Sequence, residues 1–135
     1  MSDIKKILQT AKRIGIVGLS PDIAKDSNQV GKYLQQKGFK IIPIYPKEEK
    51  ILEQKVYRNV KEALENENID ILVIFRKSEI CVDIALEVLS AKTLPKVFWM
   101  QLGISNTQAK DMLESKGIQV IENKCIKIEY QALGE

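Results

Sequence analysis

Three features of this 135-residue sequence predict a single α/β domain, a doubly wound, mostly parallel β-sheet with helices on both faces. Short apolar runs alternate with segments of helical periodicity, and the connections between them are brief. One run, Ile71-Leu72-Val73-Ile74-Phe75, is continuously apolar, as a strand buried on both faces must be. A third feature is Arg13-Ile14-Gly15-Ile16-Val17 followed by Gly18, a turn and a helix-like segment, the strand-turn-helix unit of such sheets.

Residues 3 to 12 set Ile4, Ile7, Leu8 and Ala11 at helical spacing, with Ser2 as a candidate N-cap. The first strand is Arg13 to Val17, and turn chemistry around Ser20-Pro21-Asp22 dominates the loop from Gly18 to Asp26. Ser27 or Asn28 is expected to cap the next helix, whose inward face carries Val30, Tyr33 and Leu34 and whose left-handed stop is Gly38. The second strand, Phe39 to Tyr45, holds Ile41, Ile42 and Ile44. Pro43 within it requires an edge or an ending; the ending is expected, with Pro43 stiffening backbone that lines a crevice. Lys47 to Lys55 reads as a charged surface connection. Val56-Tyr57 then pairs briefly, and Asn59 with Glu62 has capping-box spacing for a short helix to about Leu64.

The buried strand, Ile69 to Phe75, belongs at the centre of the sheet. Ser78 is expected to cap a helix with Ile80, Cys81, Ile84, Ala85, Val88 and Leu89 along one stripe. Val97 to Met100 is the next strand. Ser105 and Gln108 have capping-box spacing for a helix that stops at Gly117, Ile118 to Ile121 closes the sheet, and Cys125 to Leu133 is a short helical tail.

Composition narrows the function. With 44% hydrophobic and 29% charged residues the chain is expected to be ordered and compact. A net charge of +3 without long runs of one sign argues against a dedicated nucleic-acid binder and suits an anionic small ligand. No apolar run has the length of a membrane span and the first residues lack the apolar core of a signal peptide, so a cytoplasmic location is expected. Cys81 and Cys125 form no CxxC pair, and Cys81 is expected in the core. The sequence contains no histidine, which excludes histidine bases, histidine triads and phosphohistidine relays. Binding is thereby favoured over catalysis.

In open α/β sheets the ligand lies beyond the carboxyl ends of the strands. Four segments converge there: Gly18 to Ser20, Tyr45 to Lys47, Phe75 to Ser78, and Met100 to Gly103. A helix N-terminus offers unpaired N–H groups and partial positive charge, and a glycine lets an anion approach the backbone. The spacing is nonetheless not G-x-G-x-x-G, and Gly18 could serve the turn alone. A branched residue at Gly18 is expected to block the anion while leaving the fold largely intact. At the end of the second strand, where NAD sites place a carboxylate, stands Tyr45-Pro46-Lys47, so NADP or coenzyme A (CoA) fits better than NAD. Lys47, Arg76 and Lys77 supply cations and Gln101 an amide. The structural alternatives are a solvated Lys47, an Arg76 ion-paired to a neighbouring helix, and a Trp99 that simply fills the core.

Five segments together resemble a known family: Ile16-Val17-Gly18-Leu19-Ser20, Ile42-Pro43-Ile44-Tyr45-Pro46, Val73-Ile74-Phe75-Arg76-Lys77-Ser78, Trp99-Met100-Gln101-Leu102-Gly103-Ile104, and Asn123 to Glu129. They resemble the small bacterial stand-alone CoA-binding proteins, which share a Rossmann-like domain with the N-terminal domain of succinyl-CoA synthetase α subunits. Tyr45, where the family usually has Asn, and Tyr130, where it often has His, are departures. The resemblance implies CoA with its diphosphate near Gly18 to Ser20 and its nucleotide end between Pro43 to Lys47 and Phe75 to Lys77.

The candidate ligand contacts are therefore Gly18, Leu19, Ser20, Lys25, Ser27 and Asn28; Pro43, Tyr45, Pro46 and Lys47; Phe75, Arg76 and Lys77; and Met100, Gln101 and Gly103. The expected function is binding of CoA or an acyl-CoA without catalytic residues of its own. A small NADP-linked reductase and a nucleotide-sensing regulatory protein are the alternatives.

Overall fold

The structure, a computed structural model, describes residues 3–134. In chain order the elements are α1 (Asp3–Thr10), β1 (Arg13–Val17), α2 (Asp26–Gln36), β2 (Lys40–Ile44), a small hairpin of β3 (Lys50–Ile51) and β4 (Gln54–Lys55), and α3 (Val60–Asn66). There follow β5 (Ile71–Ile74), a 3-10 turn (Ser78–Ile80) leading into α4 (Cys81–Ser90), β6 (Val97–Met100), α5 (Thr107–Glu114), β7 (Gln119–Ile121) and α6 (Ile126–Gln131). The expected cap at Ser2 lies outside the described residues.

The main sheet runs β2-β1-β5-β6-β7 with every pairing parallel, so the doubly wound α/β reading holds and β5 is the central strand. Alternate residues of each strand serve opposite faces. Leu72, Ile74, Phe98 and Met100 pack toward α3, α4 and α5, while Ile71, Val73, Val97 and Trp99 pack with residues of α1, α2 and α6. All eight residues of β5 and β6 are buried. From β1 the chain passes through α2 out to β2, then returns through α3 to β5 on the other side of β1. Adjacent connections diverge between β1 and β5, and a crevice opens there.

Several local expectations needed correction. Pro43 does not end β2; it is paired in register with Ile16. It is tolerated because β2 is the edge strand: Lys40 and Ile44 turn their polar groups toward β1, whereas Pro43 and Tyr45 turn theirs outward, to Tyr57. The stretch from Lys47 to Lys55, expected as a surface connection, instead contains the β3–β4 hairpin with Ile51 buried, and the brief pairing expected at Val56-Tyr57 is the single Ile44–Tyr57 bridge. Ser27 and Asn28 do not cap α2; Lys25 occupies the cap position without a side-chain hydrogen bond. Ser78 does not cap α4, since its Oγ accepts the Ser105 N–H at 3.1 Å. Ser105 does not cap α5 either; the cap is Asn106, one residue later, with Oδ1 accepting the Ala109 N–H at 2.9 Å. The Asn59 cap of α3 is as expected, Oδ1 accepting the Glu62 N–H at 2.8 Å.

Asp70 fastens the entry to β1. Its Oδ2 accepts the N–H groups of Lys12 at 2.8 Å and Arg13 at 3.0 Å, and Lys96 Nζ lies 3.6 Å from Oδ1. Among the described residues no helix is long and apolar enough to cross a membrane, and no group of His, Cys, Asp and Glu is placed to hold a metal ion.

Candidate functional site

A cleft of about 660 Å³ lies at the carboxyl ends of β2, β1 and β5, where the connections diverge. Its floor includes Val17, Ile44 and Ile84, and its rim combines the loop after β1, the start of α2, the start of α3 and the Phe75-Arg76 segment.

The loop after β1 is held by its own polar side chains. Ser20 N–H donates to Ser27 Oγ at 2.9 Å and Asn28 Nδ2 donates to Ser20 O at 2.8 Å. Both side chains that were expected to cap α2 are buried and spent on Ser20 instead. The consequence is chemical: the N-terminus of this 11-residue helix reaches the cleft without a side-chain cap, so its N–H groups and partial positive charge remain to be satisfied by something else. Ser20 Oγ accepts the Asp22 N–H at 3.0 Å, which leaves the hydroxyl hydrogen able to donate.

Gly18 adopts φ +86°, and a Cβ there would fall 2.8 Å from the Phe75 carbonyl oxygen. Close approach to the backbone of the neighbouring strand end therefore demands glycine whatever binds nearby. The expectation that a branched residue would leave the fold intact is overturned, because the crowding atom is main chain and cannot swing away.

The charged rim differs from the one expected. Arg76 lines the cleft, exposed, and has no ion-pair partner among the described residues; the ion pair to a neighbouring helix is not formed. Lys25 also lines it, whereas Lys47 and Lys77 do not. In place of Lys47 stands Arg58, which sequence reading missed. Its Nη1 donates to Lys47 O at 3.0 Å and Glu48 O at 2.7 Å, holding the loop after β2 in a shape that puts Glu48 at φ +70°. The available signal was Val56-Tyr57: a segment that pairs beside β2 must deliver the next residue to that strand's carboxyl end. Asp26 and Glu87 add negative charge to the lining, and Glu87 Oε2 accepts the Lys61 N–H at 2.9 Å. Nothing in the sequence singled out Glu87, one of the few polar positions of α4, with Asp83 and Ser90.

Other candidates fall away from this cleft. Leu19 and Met100 are fully buried in the two cores, and Pro43 is buried without lining the cleft. Tyr45, Pro46 and Phe75 do line it. Gln101 is buried with Oε1 accepting the Ile126 N–H at 2.9 Å, so it ties α6 to β6. Trp99 is fully buried and its Nε1 donates to Lys124 O at 2.8 Å, matching the core reading. Gly103, at φ +85°, has open space around it and receives the Asn123 side chain, whose Oδ1 accepts its N–H.

The titrating groups with displaced acidities lie outside the rim. Burial, aided by acceptance of its hydroxyl by Glu67 at 2.8 Å, pushes the Tyr57 phenol up to about 12. Burial with the nearby charges of Glu122 and Glu79 pushes the Cys81 thiol up to about 11. Neither is set up as a base or nucleophile at neutral pH. The cleft can hold an anion and a planar ring; it offers no evident acid–base pair.

Residues 12–131 match the family model described as CoA binding domain. The chain is 40% identical over 129 residues to the uncharacterized protein YneT of Bacillus subtilis (strain 168), covering 96% of this chain and 93% of that protein. Among solved structures, a protein from Thermus thermophilus is 28% identical with a TM-score of 0.89, covering 98% of this chain and 99% of that one. A hypothetical protein from Pyrococcus horikoshii OT3 is 29% identical with a TM-score of 0.89, covering 98% of this chain and 91% of that one.

Proposed function

The chain belongs to the CoA binding domain family, and from that premise we propose that it binds coenzyme A or an acyl-CoA in the cleft between β1, β2 and β5, as a ligand and without chemistry of its own. The observation that carries the reading is the uncapped N-terminus of α2 beside an Arg76 that has no protein counter-charge among the described residues. A diphosphate supplies what both lack, an acceptor for the N–H groups and an anion for the guanidinium. Ser20, Lys25 and Ser27 share that lining. Tyr45, Pro46 and Arg58 border the part toward β2, which suits an adenosine with a phosphorylated ribose: Glu48 and Glu49 of the loop after β2 are not in the lining to repel it. The protein is read as cytoplasmic, with a small nucleotide as its partner.

Native mass spectrometry of protein purified without added ligand, followed by calorimetric titration with CoA and NADPH, tests this. A CoA-sized adduct and saturable CoA binding are expected. Retention of a dinucleotide with no response to CoA overturns the reading in favour of the reductase, and binding of neither favours a regulator of other ligand class.

A further inference from the structure

We propose that a second cavity, across Phe75 from the nucleotide cleft, receives the acyl-bearing pantetheine arm, so that the protein prefers CoA thioesters with an aliphatic acyl chain to free CoA. The inference rests on the CoA reading and names its ligand class more closely. The cavity is about 500 Å³ and lies between α2, the loop after β6 and α6. It shares Asp26 and Phe75 with the cleft, so a ligand whose diphosphate sits at the start of α2 reaches it without crossing the sheet. Its wall is apolar where an acyl chain would lie: Val30, Phe75, Leu102, Ile104, Cys125 and Ile128.

The exposure pattern points the same way. Of the large apolar side chains left exposed among the described residues, Leu102 at 64% and Ile128 at 55% are both in this wall. Ile23, Leu86 and Leu94, the other three, lie outside it. Apolar groups gathered around one opening leave unfavourable surface in water until an apolar ligand covers it. Pantetheine itself is mostly amide and hydroxyl; the acyl group is the part whose chemistry matches this wall.

The test uses the intact protein and four probes: 3′,5′-ADP, CoA, acetyl-CoA and hexanoyl-CoA. Affinity should rise from acetyl-CoA to hexanoyl-CoA by up to about fourfold per methylene, the equivalent of ~0.8 kcal/mol for each CH₂ buried. Ile128→Ser, at an exposed position, should reduce the ratio of the two affinities several-fold. Cys125 is a built-in reporter, since it lines the cavity while Cys81 is buried. Hexanoyl-CoA should slow its alkylation by iodoacetamide, read by mass spectrometry, and 3′,5′-ADP should not. If acetyl-CoA and hexanoyl-CoA bind equally, or if saturating hexanoyl-CoA leaves Cys125 as reactive as before, the acyl inference fails and the CoA reading stands. If none of the four binds, both fail.

Discussion

Gly18 and Gly103 offer a matched pair in which the effect of one backbone contact can be isolated. Their φ angles are +86° and +85°, so replacing either by alanine imposes nearly the same left-handed strain, about 1–2 kcal/mol. At Gly103 that is the whole cost, since a Cβ there meets nothing within 4 Å. At Gly18 the Cβ would lie 2.8 Å from the Phe75 carbonyl oxygen, nearer than real Cβ atoms come. Phe75 cannot retreat freely, because its N–H donates to Val17 O at 2.9 Å. Forcing the two strand ends apart should add about 1–3 kcal/mol, the usual cost of overpacking. Gly18→Ala should therefore lose about 2–5 kcal/mol against about 1–2 for Gly103→Ala. Urea unfolding followed by the fluorescence of Trp99, the single and fully buried tryptophan, measures both. Equal losses at the two positions would refute the close approach of β1 and β5 as the reason for glycine at position 18.

If the 3′-phosphate of CoA is read at the β2 side of the cleft, wild-type protein should bind CoA about tenfold more tightly than dephospho-CoA, toward the lower end for a charge-assisted contact because Arg58 is exposed. Arg58→Ala should erase most of that difference, Lys47→Ala little, and Arg76→Ala should weaken CoA and dephospho-CoA alike, as calorimetry at low salt would show; a larger effect of Lys47 would contradict the lining described. For Asp70, burial raises the carboxyl pKa, but the Lys12 and Arg13 N–H groups and the Lys96 charge outweigh it and hold the group below its ordinary 3.8. A depressed folded-state pKa stabilises the fold above the ordinary value, and that contribution is lost as pH falls through the folded value. Asp70→Asn should thus cost stability at neutral pH and flatten the acid limb below about pH 4, and an unchanged acid limb in urea titrations would count against it. With its thiol near 11 and buried, Cys81 should resist alkylation at pH 8 until denaturant is added, leaving one reactive thiol in the native chain. Labelling of both cysteines at one rate would argue otherwise.

The sequence by itself determined the fold class, because its signals are local and strong. β5 and β6 are buried on both faces and so had to be continuously apolar, the stripe from Cys81 to Val88 follows the helical period, and Gly38 and Gly117 stop helices at φ +101° and +84°. The caps were less legible. Serine and asparagine can serve a helix end or any nearby backbone group, and the choice at Ser27, Asn28 and Ser78 was made by partners that only the folded chain brings close. The site was legible as a set of strand ends but not as a set of side chains. Arg58 replaced Lys47 because Tyr57 bridges to Ile44, Glu87 entered because α4 lies over the cleft, and Met100 left because its face of β6 is core. Strand order, and with it the place where the crevice opens, was decided by the tertiary structure alone. Hydrophobic period is a property of neighbours along the chain, whereas pairing β1 with both β2 and β5 joins segments dozens of residues apart, and only their mutual burial selects which edges meet.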